Sequence, residues 1–169
     1  SKKGLLLILL TLVRKGEMVN AQWQEIDFEK AIWQIPAERM KARRAHNVYL
    51  SRQAMEILGY LKTLAEDSAY VLPARGKPNQ AVAMSSLNRA IKKALDLARH
   101  DGITFADFTV HDLRRTGSTL LHEQGYNSDW IEKALAHEQQ GIRAVYNKAE
   151  YAEQRRRMLQ DWADFIDEL

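Results

Sequence analysis

The sequence predicts an α+β fold, mainly helical, with a small three-stranded antiparallel sheet near the N-terminus. Three observations carry that expectation. Apolar residues recur at helical spacing, most clearly where Leu113, Gly117, Leu120 and Leu121 fall at i, i+4, i+7 and i+8 on one side of a helix starting near Val110. Strand-forming residues gather in one early region, around Ile26 to Ile35 and again at Asn47 to Leu50. The length of 169 residues suits one domain that buries a core without staples, and the absence of Cys excludes a disulfide framework and thiolate zinc sites.

Residues 2 to 22 read as a helix whose apolar first half gives way to Arg14, Lys15, Gly16 and Glu17, with Met18, Val19 and Ala21 adding a turn. The run from Leu5 to Val13 is too short to span a bilayer, so it belongs in a core and no membrane partner is expected. Ile26, Phe28, Ala31, Ile32, Trp33 and Ile35, broken by Glu29-Lys30, form a hairpin. Pro36 ends its second strand, a basic loop follows, and Asn47 to Leu50 make a third strand. Ser51 caps a helix to about Leu64, with Met55, Leu58 and Leu61 facing inward. Residues 70 to 73 are extended, and Ala74 to Gln80, with Arg75, Gly76, Lys77 and Pro78, read as a loop. Ser85 or Ser86 caps a helix bearing Leu87, Ile91, Ala94, Leu95 and Ala98, closed by Asp101-Gly102. After Gly125, Asn127 or Ser128 caps a short helix that runs out at His137. The tail from Glu150 is an amphipathic helix with Leu159, Trp162, Ala163 and Ile166 on one face; folding back on its own domain is favoured over docking on a neighbouring protomer.

Net charge is only +3, from 25 basic and 22 acidic residues, so bulk charge points weakly at a nucleic-acid partner. Distribution says more, because cations concentrate at Arg39 to Arg44, Lys92 to Arg99, Arg114 to Arg115 and Arg155 to Arg157. His111 and Arg114, one turn apart, reach one cleft, with Arg114 at the border of the buried face. Singly, these residues have ordinary readings. Arg14 alone is a cation at a helix end, His111 a surface imidazole, Tyr146 a half-buried aromatic, and the 39 to 44 cluster a solvated turn. His111 and His122 are three turns apart and cannot share one ion, so no metal site is expected.

As an ordered set they are more specific. His111-Asp112-Leu113-Arg114-Arg115-Thr116, then Leu135-Ala136-His137, then Tyr146 nine residues on, resemble the last two sequence boxes of tyrosine recombinases, especially prophage-type integrases. Ala136 stands where that family usually has Gly. Thr11 to Glu17 resembles the first box, Thr-Gly-x-Arg-x-x-Glu, with Leu12 in place of its Gly. The Met40-Lys41 run leading to His46, Val48, Leu50 and Ser51 is similar to the segment that carries the family's catalytic Lys; Lys41 is the better match and Lys30 the weaker. The resemblance covers nearly the whole chain. It implies a tyrosine-recombinase catalytic domain over residues 1 to 169, excised from a longer integrase.

The implied activity is site-specific cutting and rejoining of DNA through a 3′-phosphotyrosine intermediate, without metal or other cofactor, to integrate or excise a mobile element. Tyr146 is the nucleophile, with Tyr151 as a rival in a shifted register. Arg14 and Arg114 hold phosphate oxygens as permanent cations, and Lys41 gives a proton to the departing 5′ oxygen. His111 orients the phosphate or takes the phenolic proton, His137 donates to a non-bridging oxygen, and Glu17 holds a helix end or an Arg. Arg39, Arg43, Arg44 and Arg115 are candidate DNA contacts. Implied partners are double-stranded attachment sites, DNA-bending accessory proteins and sister protomers, as a homo-tetramer on DNA for the full-length protein and a monomer for the isolated domain. The implied setting is the bacterial cytoplasm, at the nucleoid. By itself the domain is expected to bind DNA weakly and salt-sensitively. Two alternatives stay open: a type IB topoisomerase-like enzyme, and a catalytically silent DNA-binding domain of the same fold.

Overall fold

The computed structural model describes residues 2–138 and 149–169. Helix α1 (Lys2–Thr11) lies at its centre and contacts every other long helix. Leu7, Ile8 and Leu10 of α1 are almost wholly buried, as an apolar run with neighbours on several sides requires. The expected single helix over residues 2 to 22 is broken: α1 stops at Thr11, Leu12 takes a left-handed φ of 59°, and α2 (Lys15–Val19) starts afresh. The break comes from Glu17, whose carboxylate accepts the Arg14 backbone N–H at 2.7 Å and caps the new helix. No Gly or Pro marks the break point, so helical periodicity ran through it.

Strands β1 (Ile26–Asp27), β2 (Ile32–Ile35) and β3 (His46–Tyr49) form an antiparallel sheet in the order β1-β2-β3, as expected. Its register pairs Ile26 with Trp33 and Ile35 with His46, putting Trp33, Ile35 and Val48 in the core. Helix α3 (Arg52–Thr63) is capped by Ser51, whose hydroxyl accepts from the Ala54 N–H at 3.2 Å. The expected loop at 74 to 80 is instead a hairpin of β4 (Pro73–Ala74) and β5 (Lys77–Ala81), turning through Gly76 at φ +70°. Nearly all of β5 is exposed, so there was no apolar alternation to betray it.

Helix α4 (Met84–His100) starts before the predicted caps, with Ala83 at the N-cap; Ser85 and Ser86 accept hydrogen bonds from Arg89. Helices α5 (Val110–Glu123) and α6 (Ser128–Ala134) follow, the latter capped by Asn127 through the Asp129 N–H at 2.8 Å. Helix α7 (Ala152–Asp167) folds back on its own chain against α1, α3, α6 and β3. The Trp162 indole N–H donates to the Leu9 carbonyl at 2.7 Å, and Gly117 of α5 lets the helices close in: a Cβ there would sit 2.5 Å from Leu12 Cδ2 and 3.2 Å from the Trp162 ring. Leu12, Leu121, Ile131, Met158 and Trp162 form the second of two hydrophobic clusters; the first spans α1 to α4 and the sheet. No helix among the described residues is long and apolar enough to cross a membrane.

Candidate active site

The C-terminal end of α6 is where distant parts of the chain meet. Its last turn closes with the Ala136 N–H on the Lys133 carbonyl and the His137 N–H on the Glu132 carbonyl, both at 3.0 Å, and Ala136 adopts a left-handed φ of 49°. A helix leaves its last carbonyls without intrahelical partners and carries a partial negative charge there. Side chains remote in sequence supply the donors. Arg114 Nη2 donates to the Leu135 carbonyl at 2.5 Å, and Arg14 Nη2 to the Ala136 carbonyl at 3.4 Å. Two guanidiniums 100 positions apart in the sequence are thereby seated on adjacent carbonyls.

Arg114 departs from its predicted border position. It is only 3% exposed and lies with Val110, Gly117 and Leu121 in the buried line of α5. Its aliphatic stem packs in the interior while its head finds a carbonyl, so burial leaves the cation satisfied. That burial, and next the neighbouring Arg14 cation, hold the Arg114 guanidinium down at about 10, still charged near neutral pH. Arg14 is partly exposed and pairs with Glu17 at 2.9 Å. Glu17 therefore both caps α2 and fixes the arginine.

One cleft is lined by Arg14, Lys15, Asn88, Thr109, His111 and Arg114, and an adjoining one by Arg14, Lys41, Glu132 and His137. Arg14 faces both. His111 and Lys41 are exposed at these openings, and His137 Nδ1 lies 2.7 Å from Glu132 Oε2. The capping carboxylate of Asp112 accepts from the Thr109 N–H and hydroxyl, which hold it below the usual carboxylate range and fix the first turn of α5 that carries His111. Lys30 lies on the β1-β2 turn beside Asp27, 3.6 Å away, and lines neither cleft. Tyr146 lies outside the described residues. Tyr151 stands at the N-cap of α7 with φ 51° and lines a cavity with His46 and His137.

Of the candidate DNA contacts, Arg43, Arg44 and Arg115 are exposed. Arg39 is not available in the same way: its Nε pairs with Glu25 at 3.0 Å and its Nη2 donates to the Glu17 carbonyl at 3.2 Å. The basic run at 155 to 157 is also split, because Arg155 is wholly buried. It pairs with Glu150 at 2.8 Å, donates to the Asn47 carbonyl at 2.6 Å and sits over the Tyr49 ring. Sequence reasoning gave no role to His46 or Glu132. His46 stood in the quoted Lys41 run, but an imidazole facing inward from a strand end leaves no periodic mark.

Solved proteins share this architecture. The recombinase XerA superposes with a TM-score of 0.65 at 22% identity, covering 90% of this chain and 57% of that one. An integrase from mycobacterium phage Brujita gives 0.68 at 17% identity, covering 94% and 50%. The fold is that of tyrosine-recombinase catalytic domains. Residues 1–153 match the phage integrase family, and the chain belongs to that family. It is similar to prophage integrase IntZ of Escherichia coli (strain K12), 46% identical over 166 residues, and to prophage integrase IntA of the same strain, 42% identical over 159. Those alignments cover 96% and 94% of this chain but only 39% and 37% of the relatives, so it spans about two fifths of their length.

Proposed function

We propose that this chain is the DNA breaking and rejoining domain of a site-specific recombinase that integrates or excises a mobile element. Tyr146 Oη attacks the scissile phosphorus and its proton passes to His111. The bond from phosphorus to the 5′ oxygen breaks, and Lys41 protonates that oxygen. A 3′-phosphotyrosine and a free 5′ hydroxyl result, and reversal with a new 5′ hydroxyl rejoins the strand. Arg14 and Arg114 neutralise the developing charge, with His137 donating to a non-bridging oxygen.

The observation that carries this reading is the seating of Arg14 and Arg114 on neighbouring carbonyls at the end of α6. Two cations held together repel each other, and the two carbonyls with the Glu17 carboxylate only partly offset that. A phosphate gaining charge in the transition state would be held more strongly than in the ground state, which is what catalysis needs. Two permanent cations also do the work of a metal ion, so the reaction runs without one.

Duplex DNA is the substrate we assign, in keeping with a solved relative, XerH, described bound to its difH substrate in a pre-cleavage complex. The isolated chain acts as a monomer with weak, salt-dependent affinity, while tetramers form on DNA in the full-length protein at the nucleoid, with DNA-bending proteins as accessories. A suicide duplex nicked near the cleavage position tests the assignment. The chain should become covalently attached at one preferred sequence, undiminished by excess EDTA. Attachment abolished by EDTA would remove the metal-free mechanism, and attachment spread evenly over random sequence would favour a topoisomerase.

A further inference from the structure

Lys41 and Arg14 line one cleft but come from separate parts of the fold, the connection between β2 and β3 and the start of α2. The lysine is exposed, and residues 40 to 45 around it form neither helix nor strand, so its place over a phosphate has to be set by a neighbour. Arg39 has the contacts to set it. It ends a single tight turn (Ala37–Arg39) two positions before Lys41 and lines neither of the clefts that hold Arg14. Its side chain turns inward and is only 17% exposed. There Nη2 donates to the Glu17 carbonyl at 3.2 Å, and Nε pairs with Glu25 Oε1 at 3.0 Å.

Both partners are themselves fixed. Glu25 Oε2 accepts from the Trp33 indole N–H at 2.9 Å and from the Gln22 backbone N–H at 3.3 Å, which ties the carboxylate to the buried side of the sheet. Glu17 caps α2, and its carboxylate pairs with Arg14 at 2.9 Å. A continuous line of contacts therefore runs from Arg14 through Glu17 to Arg39, and Lys41 follows along the backbone. Met40 between them is buried, with its N–H on the Ala37 carbonyl at 3.1 Å, so two successive inward side chains precede the exposed lysine. We propose that Arg39 is a positioning residue, fixing where Lys41 stands relative to Arg14. This rests on the reading of Lys41 as the proton donor. Guanidinium suits the place because its planar fork serves a carboxylate and a carbonyl at once, and Glu25 balances its charge, so no further net cation is added beside Arg14 and Lys41.

The test uses the whole chain and two nicked suicide duplexes, one ordinary and one with sulfur in place of the bridging 5′ oxygen. A thiolate leaves without a proton, since thiols ionise near ~8.5, so loss of a proton donor is masked on the sulfur substrate. On the ordinary duplex, Arg39→Met should attach roughly 10- to 100-fold more slowly, the scale of a misplaced catalytic group. On the sulfur duplex it should match the unaltered chain, as Lys41→Ala should. Arg39→Met strands the Glu25 carboxylate inside, so the double variant Arg39→Met with Glu25→Gln, which leaves no buried charge unpaired, has to give the same pattern, with circular dichroism as the check on folding. A phosphate contact would behave differently: its loss lowers the slope of log affinity against log salt by about 0.9, whereas here the slope should stay unchanged. Attachment at the full rate on the ordinary duplex, a fall in the salt slope, or rescue by sulfur of Lys41→Ala but not of the double variant would each overturn the positioning role. If sulfur fails to rescue Lys41→Ala, the lysine's own role falls, and this proposal with it.

Discussion

Twice among the described residues a helix stops on a left-handed residue and a candidate catalytic residue follows within two positions. Leu12, at φ 59°, precedes Arg14, and Ala136, at φ 49°, precedes His137. At both places the family pattern carries Gly, and the backbone says why: an L side chain in this region costs roughly 1–2 kcal/mol. The two sites answer that cost differently. The Leu12 side chain is completely buried against Gly117, in a cluster with Leu121 and Trp162, so its packing outweighs the strain. Ala136 has only a methyl group to offer, and its backbone is held by the closing hydrogen bonds of α6. A reactive residue just beyond a helix end can thus be aimed by core packing or by backbone bonding.

The largest expected effect breaks the symmetry between the two arginines that these turns bring together. Arg14→Met and Arg114→Met should each slow covalent attachment to a suicide duplex by about 10³-fold, as for loss of a group that stabilises transition-state charge. Only Arg114→Met should also lower stability clearly, because Arg114 is buried and serves the Leu135 carbonyl, while Arg14 is partly exposed. Equal melting of the two variants would mean that the buried guanidinium does not support the fold.

Next in size, Leu12→Gly should destabilise the chain by about 2–4 kcal/mol in urea titration despite relieving the left-handed strain, since a buried side chain and its cavity dominate. Acid should weaken the folded chain by a comparable amount. His46 is held at about 3 when folded, against an ordinary 6.5, so the unfolded chain takes up a proton that the folded one refuses. Its contribution is therefore complete above about pH 6.5 and is lost as pH falls toward 3, by about 2 kcal/mol at around pH 5. His46→Asn should flatten that part of the stability profile. Smallest, Ala136→Gly should leave stability unchanged or raise it by up to about 1 kcal/mol, with strain relief set against chain entropy. A loss of several kcal/mol there would contradict the backbone account.

Much of the architecture was legible in the sequence because periodic burial leaves a periodic record. The three-stranded sheet, α3 with its Ser51 cap, α5, α6 and the tail helix all follow apolar spacing and short capping residues. What did not show was what periodicity cannot carry. The break between α1 and α2 depends on one carboxylate reaching back to a backbone N–H, with no Gly or Pro to announce it. Strand β5 of the β4-β5 hairpin is exposed along nearly its whole length. Arg39 and Arg155 read as surface cations, and Arg114 as a border residue, because charge alone does not reveal a carbonyl or carboxylate waiting inside. In the site, the shared cleft of His111 and Arg114 came from helix spacing, whereas Arg14, Lys41 and His137 were reached only through the resemblance. Tyr146 rests on the resemblance alone.

The most direct measurement is therefore to trap the chain on a nicked suicide duplex, digest the adduct and identify the residue that carries the nucleotide. The account requires the phosphate on Tyr146, with attachment lost in Tyr146→Phe and kept in Tyr151→Phe. A nucleotide on Tyr151, or on any residue other than Tyr146, would contradict it.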